Sequence, residues 1–172
     1  KIRMGKIYTA IGLMSGTSLD GVDLSIIKSD GSKEFSSILD RYFEYDKELI
    51  QNILNIREKI TNHEKINRFS DEIKDLERKI TLFHAEAVKE TLESSKSTLD
   101  LIGFHGQTIF HDPEKKITKQ LGDGNLLSQL TKKNVVYNFR QKDLENGGQG
   151  APLTPIFHNV LANKINKKFN LG

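Results

Sequence analysis

Apolar and polar positions follow a strand-like period at the start of the chain and a helical one further on. Ile7-Tyr8-Thr9-Ala10-Ile11-Gly12-Leu13-Met14 is rich in β-branched and aromatic residues and predicts a strand. It runs into the small-residue stretch Ser15-Gly16-Thr17-Ser18-Leu19-Asp20-Gly21. Val22 to Lys28 predicts a second strand, with Val22, Leu24 and Ile26 on one face. Ser29-Asp30-Gly31-Ser32 reads as a turn, and Glu34 to Tyr45 as a third strand. Strand, loop, strand, turn, strand makes an antiparallel meander. A Walker-type phosphate loop differs, because there a helix follows the glycines.

From Asp46 the period lengthens. Asp46 to Ile60 predicts a helix with Leu49, Ile50, Ile53, Leu54 and Ile60 inward. Ile66, Phe69, Ile73, Leu76, Ile80, Phe83 and Ala87 then recur at spacings of three and four, predicting a long amphipathic helix that ends near Ser94. Too few heptads hold for a coiled-coil seam, so this helix is expected to pack across its own domain. Asp100 to Phe104 predicts a buried strand, Ile117 to Leu121 a short one, and Asp123 a cap on a helix from Asn125 to Thr131. Val135 to Phe139 reads as another buried strand. A Gly-rich loop, Glu145 to Pro152, leads to a helix over Leu153 to Ala162 with Pro155 in its first turn, where the missing N–H is cheap. The whole is an α/β pattern after an opening meander.

Charge and composition mostly exclude. The 26 basic and 23 acidic residues leave a formal charge of +3, and no run of like charges forms a basic arm, so nucleic acid is not an expected partner. The chain has no cysteine, which rules out disulfides and thiolate metal sites. No apolar stretch approaches the roughly 18 residues that cross a bilayer, and the expected location is the cytoplasm. The chain opens on Lys1 and closes on Lys168-Phe169-Asn170-Leu171-Gly172, a strand entering a turn, as a sequence cut within a domain would.

Three segments have residue types suited to ligand chemistry. In Met14 to Asp23, Gly16 and Gly21 give room and permit positive φ, and Thr17 and Ser18 add donors, as a phosphate chain requires. Asp20 in such a loop suits Mg²⁺ held through water, although Asp20-Gly21 also suits a plain hairpin. In Gly103-Phe104-His105-Gly106-Gln107-Thr108, a His and a Gln at a strand end can bond sugar hydroxyls, or His105 can be a structural histidine. His105 and His111 match no ordinary zinc spacing. In Asn138-Phe139-Arg140-Gln141-Lys142-Asp143, Arg140 can fork onto an anion or pair with Asp143, and Gly147-Gly148-Gln149-Gly150 offers backbone for close approach or a bare linker.

In combination and order, Leu13 to Asp23, Gly103 to Thr108, Gln120-Leu121-Gly122-Asp123, Val135 to Arg140 and Gly147 to Leu153 resemble the anhydro-N-acetylmuramic acid kinases. The resemblance runs from about Ile7 to Gly172, and the stretch from Asp46 to Leu99 carries almost none of it. It implies an α/β, ribonuclease H-like lobe of the actin/hexokinase/Hsp70 type, with a mixed sheet flanked by helices. Residues 1–172 would be the N-terminal lobe of a two-lobe kinase whose second lobe is absent. The family uses ATP, Mg²⁺ and water to convert 1,6-anhydro-N-acetylmuramic acid to N-acetylmuramic acid 6-phosphate in peptidoglycan recycling.

Carried over by position, the resemblance assigns Gly16, Thr17, Ser18, Leu19, Asp20, Gly21, Val22 and Asp23 to the ATP phosphates, with Asp20 toward the metal. His105, Gln107, Arg140 and Gln149 are candidates for the sugar cleft. The water-activating Asp is expected downstream of Gly172, so the chain alone is expected to be inactive; the full-length enzyme is expected to be a homodimeric kinase. Asn138 stands where many relatives have an acid, and Gln141 and Lys142 replace residues that are often basic or small. The competing readings are a levoglucosan-type anhydro-sugar kinase and a non-catalytic product or subunit of a split or decaying gene.

Overall fold

The computed structural model describes residues 6–153, 157, 158 and 160–162. The strand expected at 168–172 lies outside them, as does part of the helix expected over 153–162, whose described positions 157, 158 and 160–162 are helical. The opening meander is present as β1 (Tyr8–Met14), β2 (Gly21–Ser29) and β3 (Phe35–Glu44). β1 pairs antiparallel with β2 from Tyr8↔Ser29 to Met14↔Asp23, and β2 pairs antiparallel with β3 across a bulge at Ile26/Ile27.

Helices α1 (Lys47–Lys59), α2 (His63–Arg68) and α3 (Ser70–Ser95) follow. The Asp46 carboxylate starts α1 by accepting from Leu49 N at 2.7 Å. Within α1, Leu49, Ile53 and Ile56 are buried while Leu54 is 36% exposed, so Ile56 takes the inward place expected of Leu54. The long helical period is broken in two. Asn62 caps a short α2 through Lys65 N at 3.2 Å, and Phe69 leaves helical geometry before α3 begins. Both halves keep their apolar residues inward, which is why the period alone runs through the break.

The chain then returns to the sheet as β4 (Leu101–Phe104), which lies parallel to β1 with Gly12↔Gly103 and Leu13↔Phe104. A hairpin of β5 (Gln107–Asp112) and β6 (Ile117–Leu121) stands apart as a second sheet, and β5 was not legible as a strand in the sequence. Asp123 caps α4 (Gly124–Thr131), accepting from Asn125 N and Leu126 N at 2.9 and 3.0 Å. β7 (Asn134–Tyr137) pairs parallel with β4 and closes the order β3-β2-β1-β4-β7.

β7 is not the buried strand that its apolar residues predict. It is the edge of the sheet, with Val136 48% exposed, and it ends at Tyr137, so that Phe139 opens α5 (Phe139–Glu145) instead. A run of β-branched residues looks the same at an edge as at a centre, and only the strand order separates them.

One face of the sheet is dry. Ile11, Leu13, Val22, Leu24, Ile26, Ile102 and Phe104 bury there with Ile53 of α1 and with Ile73, Leu76, Ile80 and Val88 of α3. Burying each such side chain contributes about 1.5–3 kcal/mol, so this layer fixes the register of the strands. α3 spends its apolar stripe on its own domain, as expected. The opposite face carries Gly12, Met14, Asp23, Ser25, Ile27 and Gly103, and a cleft opens above it.

Candidate functional site

The alternation of β1, β2 and β4 puts small and polar residues on the second face. A cleft of about 740 Å³ lies there, between the sheet, His105, Phe139 and Arg140 of α5, and Ala151, Leu153 and Phe157. The two ends of the phosphate-type loop, Met14 and Asp23, line it. The topology therefore gathers the first and second motifs at the carboxyl ends of the parallel strands β1 and β4, with the third motif leaning across from α5. In open α/β sheets, ligands settle at such strand ends.

The loop from Ser15 to Asp20 is held from below. Ser15 is buried, lies 2.6 Å from the Tyr45 hydroxyl and donates to Gly21 O at 3.3 Å. Tyr45 N donates to Asp20 O at 2.9 Å, so one tyrosine ties both ends of the loop. Burial pushes the Tyr45 hydroxyl up to about 12, which keeps it protonated and able to donate. Gln107 Nε2 donates to Gly16 O at 2.9 Å, and Arg57 Nη1 reaches Thr17 O at 3.5 Å.

The glycines of this loop work differently from the expectation. Neither Gly16 nor Gly21 has positive φ; Leu19 adopts the left-handed region, at φ 61°. Gly21 is needed for space, because a Cβ there would stand 2.2 Å from Phe43 O on the neighbouring strand. The Ser18 hydroxyl is also committed, donating to Asp20 Oδ1 at 2.6 Å. That bond holds the exposed Asp20 carboxyl below its usual range, so it is ionised at neutral pH. Leu19 and Val22 turn their side chains into the core and present only backbone, whereas Thr17, Ser18, Asp20 and Asp23 are exposed.

In the second motif, His105 is nearly buried and its tautomer follows from its partners. Nδ1 lies 2.6 Å from Gly106 O, which can only accept, and Nε2 receives the Arg140 Nε–H at 2.7 Å. His105 is therefore neutral with its proton on Nδ1. Burial lowers its pKa and the Arg140 charge lowers it further, so this state persists through neutral pH. Gln107 is fully buried, its amide engaged by Gly16.

Arg140 does not pair with Asp143, the alternative its sequence position allowed. Both residues converge on one peptide instead: Arg140 Nη1 donates to Gly150 O at 2.7 Å, and Gly150 N donates to Asp143 Oδ2 at 2.8 Å. The Gly-rich segment is thus clasped rather than a bare linker. Gln149 lies exposed within it.

Among the described residues no cluster of three His, Asp or Glu could hold a metal ion, and no helix is long and apolar enough to cross a membrane. Sequence reasoning missed Tyr45 and Arg57. They sit 30 residues from Ser15 and 40 from Thr17, with no local signature to mark them.

A five-stranded mixed sheet that opens with an antiparallel meander and carries helices at its flank is the actin/hexokinase-type lobe, with its first loop at the mouth of the cleft. Residues 8–171 match the family described as anhydro-N-acetylmuramic acid kinase. Proteins with that name are 59% identical over 161 residues in Pelagibacter ubique, 43% over 165 in Agrobacterium fabrum and 39% over 165 in Rhizobium etli. The matches cover 94%, 92% and 94% of this chain, but only 43%, 43% and 45% of those relatives. The chain belongs to the anhydro-N-acetylmuramic acid kinase family, and it spans less than half the length of these relatives.

Proposed function

We propose that this chain is the phosphate-holding N-terminal lobe of a two-lobe, cytoplasmic kinase, homodimeric when full-length. The reaction would convert 1,6-anhydro-N-acetylmuramic acid, ATP and water to N-acetylmuramic acid 6-phosphate in peptidoglycan recycling. The observation that carries the reading is the loop backbone. The carbonyls of Gly16, Thr17, Asp20 and Gly21 are each capped by a donor, while the N–H groups of Gly16, Thr17 and Ser18 have no partner among the described residues. Unpaired amide donors beside capped acceptors suit a polyanion.

Asp20, ionised and exposed, is the residue of this loop that would hold Mg²⁺ through water, since the ion dehydrates reluctantly and keeps several of its waters beside substrate phosphates. When bound with ATP, Mg²⁺ would neutralise charge on the phosphates. Arg140, fixed by His105 and Gly150, keeps further N–H groups for an anion such as the lactyl carboxylate of the muramic sugar. His105 holds that guanidinium and, being neutral, adds no competing charge. The base that activates water belongs, on this reading, to the second lobe.

The test is ADP release with the anhydro-sugar, by this chain alone and by the full-length protein. Turnover by the full-length protein, with none by the chain, is the expected result. Turnover by the chain alone would place the base within it and sink the division of labour. A preference of the full-length protein for levoglucosan would transfer the substrate assignment to that sugar.

A further inference from the structure

Gln107 sits at the start of β5 with no solvent exposure, and its two amide atoms are treated unequally. Nε2 donates to Gly16 O at 2.9 Å, joining segments 91 residues apart. Oε1 is buried with no partner among the described residues. A glutamine kept inside with an unmet acceptor is unfavourable by itself. Its single hydrogen bond must therefore account for its orientation, since turning the amide over would set Oε1 against the Gly16 oxygen.

The bond it makes is the shorter of the two that orient one peptide plane. A trans peptide points its carbonyl and its N–H to opposite sides. Drawing Gly16 O toward Gln107 thus sends the Thr17 N–H the other way, and that N–H has no partner among the described residues. Thr17 O, Asp20 O and Gly21 O are held by Arg57, Tyr45 and Ser15. Gly16 O also accepts the Leu19 N–H, at a long 3.5 Å, and its short bond, at 2.9 Å, comes from the second motif.

We propose that Gln107 is a positioning residue for the phosphate chain of the nucleotide, rather than a group that lines the sugar cleft. Its amide keeps the Gly16 carbonyl out of the anion's space and presents the Thr17 N–H to it. The inference rests on the phosphate reading of the loop. It makes the second motif a determinant of nucleotide binding.

Gln107→Glu tests this with almost no change of shape. As a carboxylate it sets acceptor against acceptor, and the Gly16–Thr17 peptide should turn over. A buried carboxyl titrates above its ordinary range, so mildly acidic solution restores an O–H donor. Binding of a non-hydrolysable ATP analogue with Mg²⁺ to this chain should weaken tenfold or more at pH 8 and largely recover at pH 6. Gln107→Met should weaken it at both, and the unsubstituted chain should change little between them.

Hydrogen exchange read without nucleotide provides the independent arm. Relative to the unsubstituted chain at the same pH, exchange at Thr17 and Ser18 should change in Gln107→Glu at pH 8 and return toward normal at pH 6. If Gln107→Glu does not fold, Gln107→Met decides by the same two measurements. Binding and exchange that match the unsubstituted chain in both variants would overturn the proposal. So would a loss of binding indifferent to pH in Gln107→Glu with loop exchange unaltered. Failure of the unsubstituted chain to bind the analogue would refute the phosphate reading, while the exchange result would still judge the hold of Gln107 on the loop.

Discussion

Two glycine-bearing loops border the same cleft and are stabilised in opposite ways. The loop from Ser15 to Asp20 is held by residues distant in sequence, Tyr45, Arg57 and Gln107, and its Gly21 is present because a backbone passes beside it. The loop from Gly147 to Gly150 is held by the helix just before it, through Arg140 and Asp143. Its Gly147 and Gly150 adopt φ of 88° and 76°, where a side chain is strained. The first is a loop anchored at several points by distant elements, and the second is a clasp that one short helix closes. On the proposed reading, a polyanion would meet donors already fixed in the first loop, and a substrate would meet the clasp.

The strongest way to break this contrast is Gly21→Ala. The new Cβ would meet Phe43 O and force β2 and β3 apart, costing about 3 kcal/mol in chemical denaturation. Loss well below that would mean that space is not the reason for this glycine. Gly150→Ala should cost less, about 2 kcal/mol, from the left-handed backbone and from a Cβ that would stand 2.8 Å from the exposed His111 ring, a side chain able to shift. Its effect should be confined to the clasp, with hydrogen exchange faster at 147–150 and unchanged at 16–18.

Tyr45→Phe comes next, at about 1 kcal/mol for one buried hydrogen bond, since the ring packing on Phe83 survives. Exchange should quicken at Ser15 to Asp20 and stay unaltered in the clasp. Acid should give the smallest change and the opposite pattern. The folded pKa of His105 is lowered, so its contribution is intact above the ordinary histidine value and fades as pH falls below it. Protonation puts a hydrogen on Nε2 and expels the Arg140 Nε–H. Protection from exchange at 147–150, taken relative to the intrinsic rate at each pH between 7.5 and 5, should then fall toward acid; His105→Gln should abolish that dependence.

Much of the architecture was legible because it repeats locally. The meander follows from alternation in Val22, Leu24 and Ile26, and α4 from Asp123 as a capping residue, since both signals lie within a few residues of what they predict. The site was legible as motif segments but not as contacts. Arg140 and Asp143 are close in sequence and suggested an ion pair, yet Gly150 offers both a carbonyl and an N–H, and each residue takes one. α5 escaped notice because it is short, buries only Leu144 and starts from Asn138 at φ 62° with no side-chain cap.

By itself, the sequence determined the α/β class, the order of β1, β2, β3, α1, the long α3, β4, β6 and α4, the dry face of the sheet and the segments proposed to carry the chemistry. These are matters of period, capping and turn residues, in which neighbours along the chain decide. Tertiary structure decided that β7 is an edge strand, that Leu19 rather than a glycine takes the left-handed turn, and that Tyr45, Arg57 and Gln107 hold the first loop. Each depends on which groups meet after the sheet has closed. A hydrogen bond spanning 30, 40 or 91 residues leaves no periodic trace in the chain that makes it.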